Sequence, residues 1–240
     1  KVYKEANKRA FRQSVDYTEG RKTKNSRRSR AMEKGSKYGR QATEEAWQSA
    51  EVDALYRLAA AGVRVPQPYN FHEGVLLMEL ITDANGDAAP RLNDITLPAD
   101  LALEYHRTLI TQVVRMLCAG IVHGDLSEYN VLVDSHGPVI IDLPQAVDAA
   151  GNNNAFSMLE RDVRNLATYF GQFAPALLST DYGMEIWSLY KSGKLLPESP
   201  LTGHFKRDDK PADVRGVMRE VADARKEEAA RQRYKLEMGK

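Results

Sequence analysis

Ile121-Val122-His123-Gly124-Asp125-Leu126-Ser127-Glu128-Tyr129-Asn130, followed by Val131-Leu132-Val133, a turn at Asp134-Ser135-His136-Gly137 and then Pro138-Val139-Ile140-Ile141-Asp142, is the stretch whose reading decides the fold. Two short apolar, β-branched runs flank a Gly-containing turn, which predicts a hairpin with a loop longer than two residues. With Val131 facing Ile141 and Val133 facing Val139, the register sets Asn130 opposite Asp142, Cβ atoms roughly 5 Å apart. Two hard oxygens then converge on one cation. That suits Mg²⁺, which takes one or two protein ligands and leaves the rest to phosphates and water. Asp125 lies on the loop before the hairpin, where it can hold a hydroxyl or water in line with a terminal phosphate. Taken singly, Asp125 could cap a turn, Asn130 could start a strand and Asp142 could end one. The joint spacing Asp-x₄-Asn, hairpin, Asp is what points to phosphoryl transfer.

His-Gly-Asp-Leu-Ser-Glu-Tyr-Asn at 123 to 130, with Ile-Asp-Leu-Pro-Gln-Ala-Val at 141 to 147, resembles the RIO family of atypical Ser/Thr protein kinases. The match is to the type without an N-terminal winged helix, as a bacterial-like member. The resemblance implies a two-lobed, protein-kinase-like α+β fold that binds ATP with Mg²⁺ or Mn²⁺. Asp125 would be the catalytic base, and Asn130 and Asp142 the metal ligands. Lys1-Val2-Tyr3-Lys4 reads as the end of a strand and resembles the family's Ala-Val-Lys-Val-Tyr-Lys cut at its first Lys. Lys1 would then contact the α- and β-phosphates. Trp47-x₃-Glu51 resembles the helix whose Glu pairs with that Lys. Leu76 to Ile81 resembles the final N-lobe strand running into a hinge, where backbone groups of Glu79 and Ile81 would bond adenine and Met78 would wall the pocket.

Two departures from ordinary protein kinases stand out. Ser127 occupies the place of a Lys near the transferred phosphate, and Leu143-Pro144 replaces Phe-Gly after the metal Asp. The RIO family shares both, and includes members described as kinases, as ATPases and as forming a phospho-aspartate at the metal Asp, here Asp142. Its relatives in archaea and in cells with nuclei act in small-subunit ribosome maturation. The glycine-rich strand pair expected before Lys1 is not in the sequence, so the N-lobe is expected to be incomplete. The leading Lys suggests a start inside a longer protein.

The rest of the chain sets bounds. Its 240 residues, 42% of them hydrophobic, suffice for one domain or two small lobes. A net charge of +1 gives no global argument for a nucleic-acid partner. The single cysteine, Cys118, excludes an internal disulfide and is expected in the core. No run is long and apolar enough to span a membrane, and no signal-peptide pattern opens the chain, so a cytoplasmic location is expected. Arg21 to Arg40 carries nine basic residues against Glu33 alone and lacks apolar periodicity. It reads as a flexible loop, about 18–41, that is either a solvated insertion or a contact for RNA, ribosome or phosphate.

A helix is predicted from about Thr43, as N-cap, to Ala61, with Gly62 as its stop and Glu51 on its inner face. Strands Tyr69 to Phe71 and Val75 to Ile81 follow, then a loop that marks the lobe boundary. Pro98 opens a helix to about Cys118, and Gly120 ends it. His123 reads as a packed structural histidine. A helix from Ala155 to Phe170 follows, in which Asp162 either accepts backbone N–H bonds from the catalytic loop or pairs with Arg at the surface. Thr180 can cap the next helix, ending near Lys191. The expected organisation is a partial N-lobe at 1–82, a C-lobe at 83–210 and a charged C-terminal helix at 211–240. The protein substrate is unspecified. A small-molecule phosphotransferase using the same Asp125, Asn130 and Asp142, and a ribosome- or RNA-binding module with little catalysis, are the rival readings.

Overall fold

In the computed structural model the described residues are 1–3 and 37–205. The basic segment, apart from its last residues, and the charged stretch 211–240 lie outside them. The first long element is a helix, α1 (Lys37–Ala60). It starts six residues before Thr43, which is therefore interior and not an N-cap. No proline interrupts 37 to 43, and extending a formed helix is far easier than starting one. Its end matches expectation. Val63 N–H donates to Leu58 O at 3.0 Å and Gly62 N–H to Ala59 O at 3.1 Å, with Gly62 at φ +71°, a left-handed stop in which Gly carries no Cβ penalty.

Strands β1 (Pro68–His72) and β2 (Val75–Met78) form an antiparallel hairpin. Its two-residue turn, Glu73-Gly74, has φ of +46° and +74°, the primed geometry that suits the twist of paired strands. Lys1 to Tyr3 adds along β2: Lys1 N donates to Leu76 O at 2.8 Å, Leu76 N to Lys1 O at 2.9 Å, and Tyr3 N to Gly74 O at 3.0 Å. The second predicted strand thus ends at Met78, three residues short of Ile81. From there Ile81 turns inward with Ala89 and Val139.

Helix α2 (Ala99–Cys118) begins after Pro98, which caps it from outside. It buries Leu109, Val113, Met116 and Leu117, as the apolar periodicity predicts, along with His106 and Gln112. Cys118, expected in the core, is exposed. It is the last helical residue, where the apolar stripe has already rotated away. Gly120, at φ +74°, turns the chain into β3 (Ile121–Val122), which pairs with β6 (Val147–Asp148). Between these two strands lie the loop 123–130 and the hairpin β4 (Val131–Asp134) and β5 (Gly137–Ile140).

The hairpin register differs from the predicted one. Val131 faces Ile140 and Val133 faces Pro138. Asp134 and Gly137 pair, so the connection is only Ser135-His136, held by an Asp134 Oδ1 that accepts the His136 N–H at 2.8 Å. One residue fewer in the loop moves every pair by one. Asn130 consequently faces Ile141, whose N–H it accepts at 3.0 Å, and Asp142 falls just beyond the ladder.

Helix α3 (Ala155–Phe170) lies where predicted and buries Met158, Leu159, Val163, Leu166 and Phe170. Helix α4 (Tyr182–Lys191) starts after Asp181, not Thr180, whose hydroxyl instead donates to Leu177 O at 2.7 Å. Leu109, Leu117, Leu126, Leu166 and Phe170 are all fully buried, each contributing roughly 1.5–3 kcal/mol. Leu126 belongs to the 123–130 loop itself, so the loop is pinned into the core.

Candidate active site

The loop 123–130 is an irregular segment whose backbone is nonetheless fully bonded through its centre. Gly124 N–H donates to Asp162 Oδ2 at 2.8 Å and Leu126 N–H to Asp162 Oδ1 at 3.0 Å. Arg161 donates to Gly124 O, and Asn165 Nδ2 to Leu126 O at 3.1 Å. Asp125 N–H donates to His123 Nδ1 at 3.3 Å, and Asn130 Nδ2 to Asp125 O at 2.8 Å. Every N–H and C=O from 124 to 126 therefore has a partner. Three of these partners, Arg161, Asp162 and Asn165, come from one turn of α3. Asp125 stands between two clamped peptides with its own side chain exposed.

Asp162 is 1% exposed, so of its two sequence readings the buried acceptor of loop N–H groups is the one found. Burial pushes its carboxyl up to about 7, while the two backbone donors and Arg161 pull the other way. His123 is packed as expected, at 2% exposure. Burial lowers its pKa, so the ring is neutral. With Nδ1 accepting from Asp125 N–H, Nε2 carries the proton and donates to Ile141 O at 3.1 Å. One ring thus ties the backbone of Asp125 to the residue preceding Asp142.

Asp142 has φ +64°, a left-handed conformation that a short polar side chain tolerates better than most. Its Oδ1 accepts from Lys1 Nζ at 3.0 Å, and Lys1 Nζ also pairs with Glu51. Glu51 is 5% exposed on the inner face of α1. Burial would lower the Lys1 pKa, but Glu51 and then Asp142 outweigh it and hold the ammonium above its usual range. Residues 1, 51 and 142 thus meet at one nitrogen. The cleft beside them is walled by Leu55, Pro66, Leu76, Met78 and Leu143.

Glu79 N–H donates to Gln67 O at 2.8 Å, and Ile81 O accepts from Ala89 N–H at 3.0 Å. Among the described residues the Glu79 carbonyl and the Ile81 N–H make no hydrogen bond. Those are one acceptor and one donor on neighbouring backbone.

The residues present fit a hard divalent cation. Asn130 turns its amide nitrogen to Asp125 O, which leaves Oδ1 on the other side, and Asp142 adds a carboxylate. Among the described residues no cluster of three or more His, Cys, Asp or Glu could hold a metal alone. A cation here would rely on phosphate oxygens, as Mg²⁺ does with nucleotides.

Three partners were not assigned from sequence. Arg161 and Asn165 are four apart on a helix, hence on one face, a signal that was available. The third is Gln145, whose Nε2 donates to Asp125 Oδ2 at 3.2 Å. Only its place after Pro144 hinted at it.

Known proteins resemble this sequence. The chain is 41% identical over 126 residues to the RIO-type serine/threonine-protein kinase Rio1 of Haloferax volcanii, covering 52% of this chain and 42% of that protein. It is 37% identical over 125 residues to the Rio1 of Thermoplasma acidophilum, covering 52% and 63%. It is 28% identical over 186 residues to the serine/threonine-protein kinase RIO3 of Caenorhabditis elegans, covering 74% and 36%. The matched part spans less than two thirds of each of these relatives. The RIO domain model matches residues 1–182, about three quarters of the sequence. The chain belongs to the RIO family.

Proposed function

We propose that this chain carries the phosphoryl-transfer machinery of a RIO-type Ser/Thr protein kinase or ATPase, with ATP as donor. The observation that carries the reading is Lys1 Nζ held between Glu51 and Asp142. A lysine fixed by a buried carboxylate beside a metal-type Asp is an arrangement for polyphosphate. Glu51 orients the ammonium toward the α- and β-phosphates. The Glu79 carbonyl and Ile81 N–H receive the adenine edge, with Met78 and Leu143 as apolar walls. Asn130 and Asp142 would hold Mg²⁺ or Mn²⁺, which supplies charge neutralisation on the phosphates when bound. Asp125 accepts a hydrogen bond from the acceptor and takes its proton as the new P–O bond forms and the bond from the γ-phosphorus to the bridging oxygen breaks, ADP leaving with the electron pair. The clamped loop 124–126 keeps that carboxylate in place, and such positioning accounts for much of the catalysis in phosphoryl transfer.

The names of the relatives, all RIO-type or serine/threonine-protein kinases, support the kinase reading. No helix among the described residues is long and apolar enough to cross a membrane. A single cysteine fits a reducing, cytoplasmic setting. A ribosomal or RNA partner through the basic 21–40 segment is a further part of the proposal, drawn from its charge.

The test uses the full-length protein, Mg²⁺ and γ-labelled ATP, following free phosphate and acid-stable label on protein together. Asp125→Ala and Asp142→Asn should each lower the summed output by at least about 100-fold. Unchanged output in Asp142→Asn would remove the metal role. ATP turnover that appears only with an added small metabolite would favour the small-molecule phosphotransferase reading.

A further inference from the structure

The bonds around residues 124–126 fix the backbone of Asp125, but a fixed backbone does not fix a carboxylate. An exposed Asp side chain has three staggered χ1 wells and a broad χ2, and only part of that range points along one line of attack. Two side-chain amides narrow it. Gln145 Nε2 donates to Asp125 Oδ2 at 3.2 Å, and Asn130 Nδ2, bonded to Asp125 O at 2.8 Å, stands 3.5 Å from the same Oδ2. The short backbone bond commits Asn130 elsewhere, so Gln145 is the stronger hold on the carboxylate. A carboxylate only accepts, so the Gln145 amide presents its nitrogen there.

Gln145 can hold because it is itself held. Leu143 to Ala146 is a turn closed by Ala146 N–H to Leu143 O at 3.1 Å, with Pro144 at the first central position and Gln145 at the second. Leu143 and Ala146, at 2% and 7% exposure, anchor both ends of the turn in the core. The donor therefore reaches Asp125 from a fixed point outside the 123–130 loop. That point follows Asp142 directly in the chain, and His123 Nε2 to Ile141 O at 3.1 Å is a second link between the same two segments. The stretch that carries the metal-type carboxylate also carries the side chain that steadies the base.

We propose that Gln145 is a positioning residue for the base: its amide fixes the Asp125 carboxylate through Oδ2 and so assigns proton acceptance to Oδ1. This rests on the phosphoryl-transfer reading above and holds whichever acceptor the site serves. Gln145 is bonded to the base, not to Lys1, Glu51 or Asp142, which form the phosphate side of the site. Loss of its amide changes how often the carboxylate is in line, not how well nucleotide binds. Spreading over three χ1 wells dilutes the productive one by roughly threefold, and freedom at χ2 extends this to about tenfold.

The experiment is a double-mutant cycle on the full-length protein with Mg²⁺ and γ-labelled ATP, each rate expressed per nucleotide-binding site counted by calorimetry. Gln145→Met, which keeps the length and removes the donor, should lower kcat about three- to tenfold and leave the Kd for Mg²⁺–ATP within about twofold. Gln145→Glu, which turns a carboxylate on a carboxylate, should fall further. In an Asp125→Ala background Gln145→Met should change nothing, because no carboxylate is left to hold. A residue that merely supports the fold lowers the rate by the same factor in both backgrounds, and that result overturns the proposal. An unchanged kcat in Gln145→Met overturns it too, as does a loss of nucleotide affinity that matches the loss of rate. Counting binding sites removes partial unfolding from the comparison. Wild-type turnover in Asp125→Ala alone would remove the base assignment and this proposal with it. A wild type that neither binds nor turns over ATP instead removes the phosphoryl-transfer reading itself.

Discussion

Replacing Asp162 by Asn tests how the loop 123–130 is held. The side chains are nearly isosteric, so packing against the core is kept. The carboxylate accepts from both Gly124 N–H and Leu126 N–H, at 2.8 and 3.0 Å, in a site 1% exposed. Asn can accept only one of these, and its NH₂ opposes the other N–H donor. Leaving one buried donor unsatisfied costs about 1–3 kcal/mol. For a domain of this size that lowers the melting temperature by roughly 2–10 °C. Loop displacement by even about 1 Å misplaces Asp125, worth about 100-fold in turnover. A pH profile adds an independent sign. With its folded pKa raised from 3.8 to about 7, Asp162 holds a proton in the folded protein that the unfolded chain has released. Its contribution to stability is therefore full below about pH 4 and is lost as pH rises to about 7, by up to about 4 kcal/mol. Urea unfolding of both proteins between pH 4 and 8 gives the difference profile, since Asn does not titrate. A variant that melts within about 1 °C of wild type and keeps its ATP turnover would refute the clamp. A flat difference profile would refute the raised pKa.

Burial lowers His106 to about 4, and among the described residues its buried Nε2 has no partner, so it must be neutral when folded. The sign is opposite to that of Asp162: the unfolded chain takes up the proton first, and stability falls as pH drops from about 6.5 to about 4, by roughly 3 kcal/mol. The difference in unfolding free energy between wild type and His106→Gln should show that slope alone. Glu51→Gln should weaken Mg²⁺–ATP binding about tenfold or more, read by calorimetry, because Lys1 loses its buried anchor and swings toward Asp142. Gly120→Ala should cost about 1–2 kcal/mol in urea unfolding. The residue sits at φ +74°, and a Cβ there would lie 3.2 Å from an Arg57 guanidinium nitrogen.

The parts of this molecule readable from sequence were those fixed by local chemistry. Apolar periodicity located α2 and α3, Gly62 and Gly120 marked the ends of α1 and α2, and Asp-x₄-Asn located the loop. The register of the β4–β5 hairpin was misread because it depends on a single residue of loop length, and apolar runs on both sides tolerate either pairing. The start of α1 was misread because Thr43 is a good cap chemically, while nothing in 37–42 forbids helix. Cys118 was misplaced for a related reason, since one step along a helix turns a residue by about 100°. Gln145 was out of reach of local rules, because its partner is 20 residues away and only the folded chain brings the two together, whereas the shared helix face of Arg161 and Asn165 was a local signal left unassigned.

The saturated backbone of residues 124–126 has a kinetic meaning. Surface loops usually exchange their amide hydrogens quickly, because solvent competes for bonds that were never made. Here the amides of Gly124 and Leu126 are locked to a helix and should exchange as slowly as the core of α3, even though Asp125 between them faces solvent. On the proposed reading, substrate binding would then bear little of the entropy cost of ordering the Asp125 carboxylate, because its loop is already fixed.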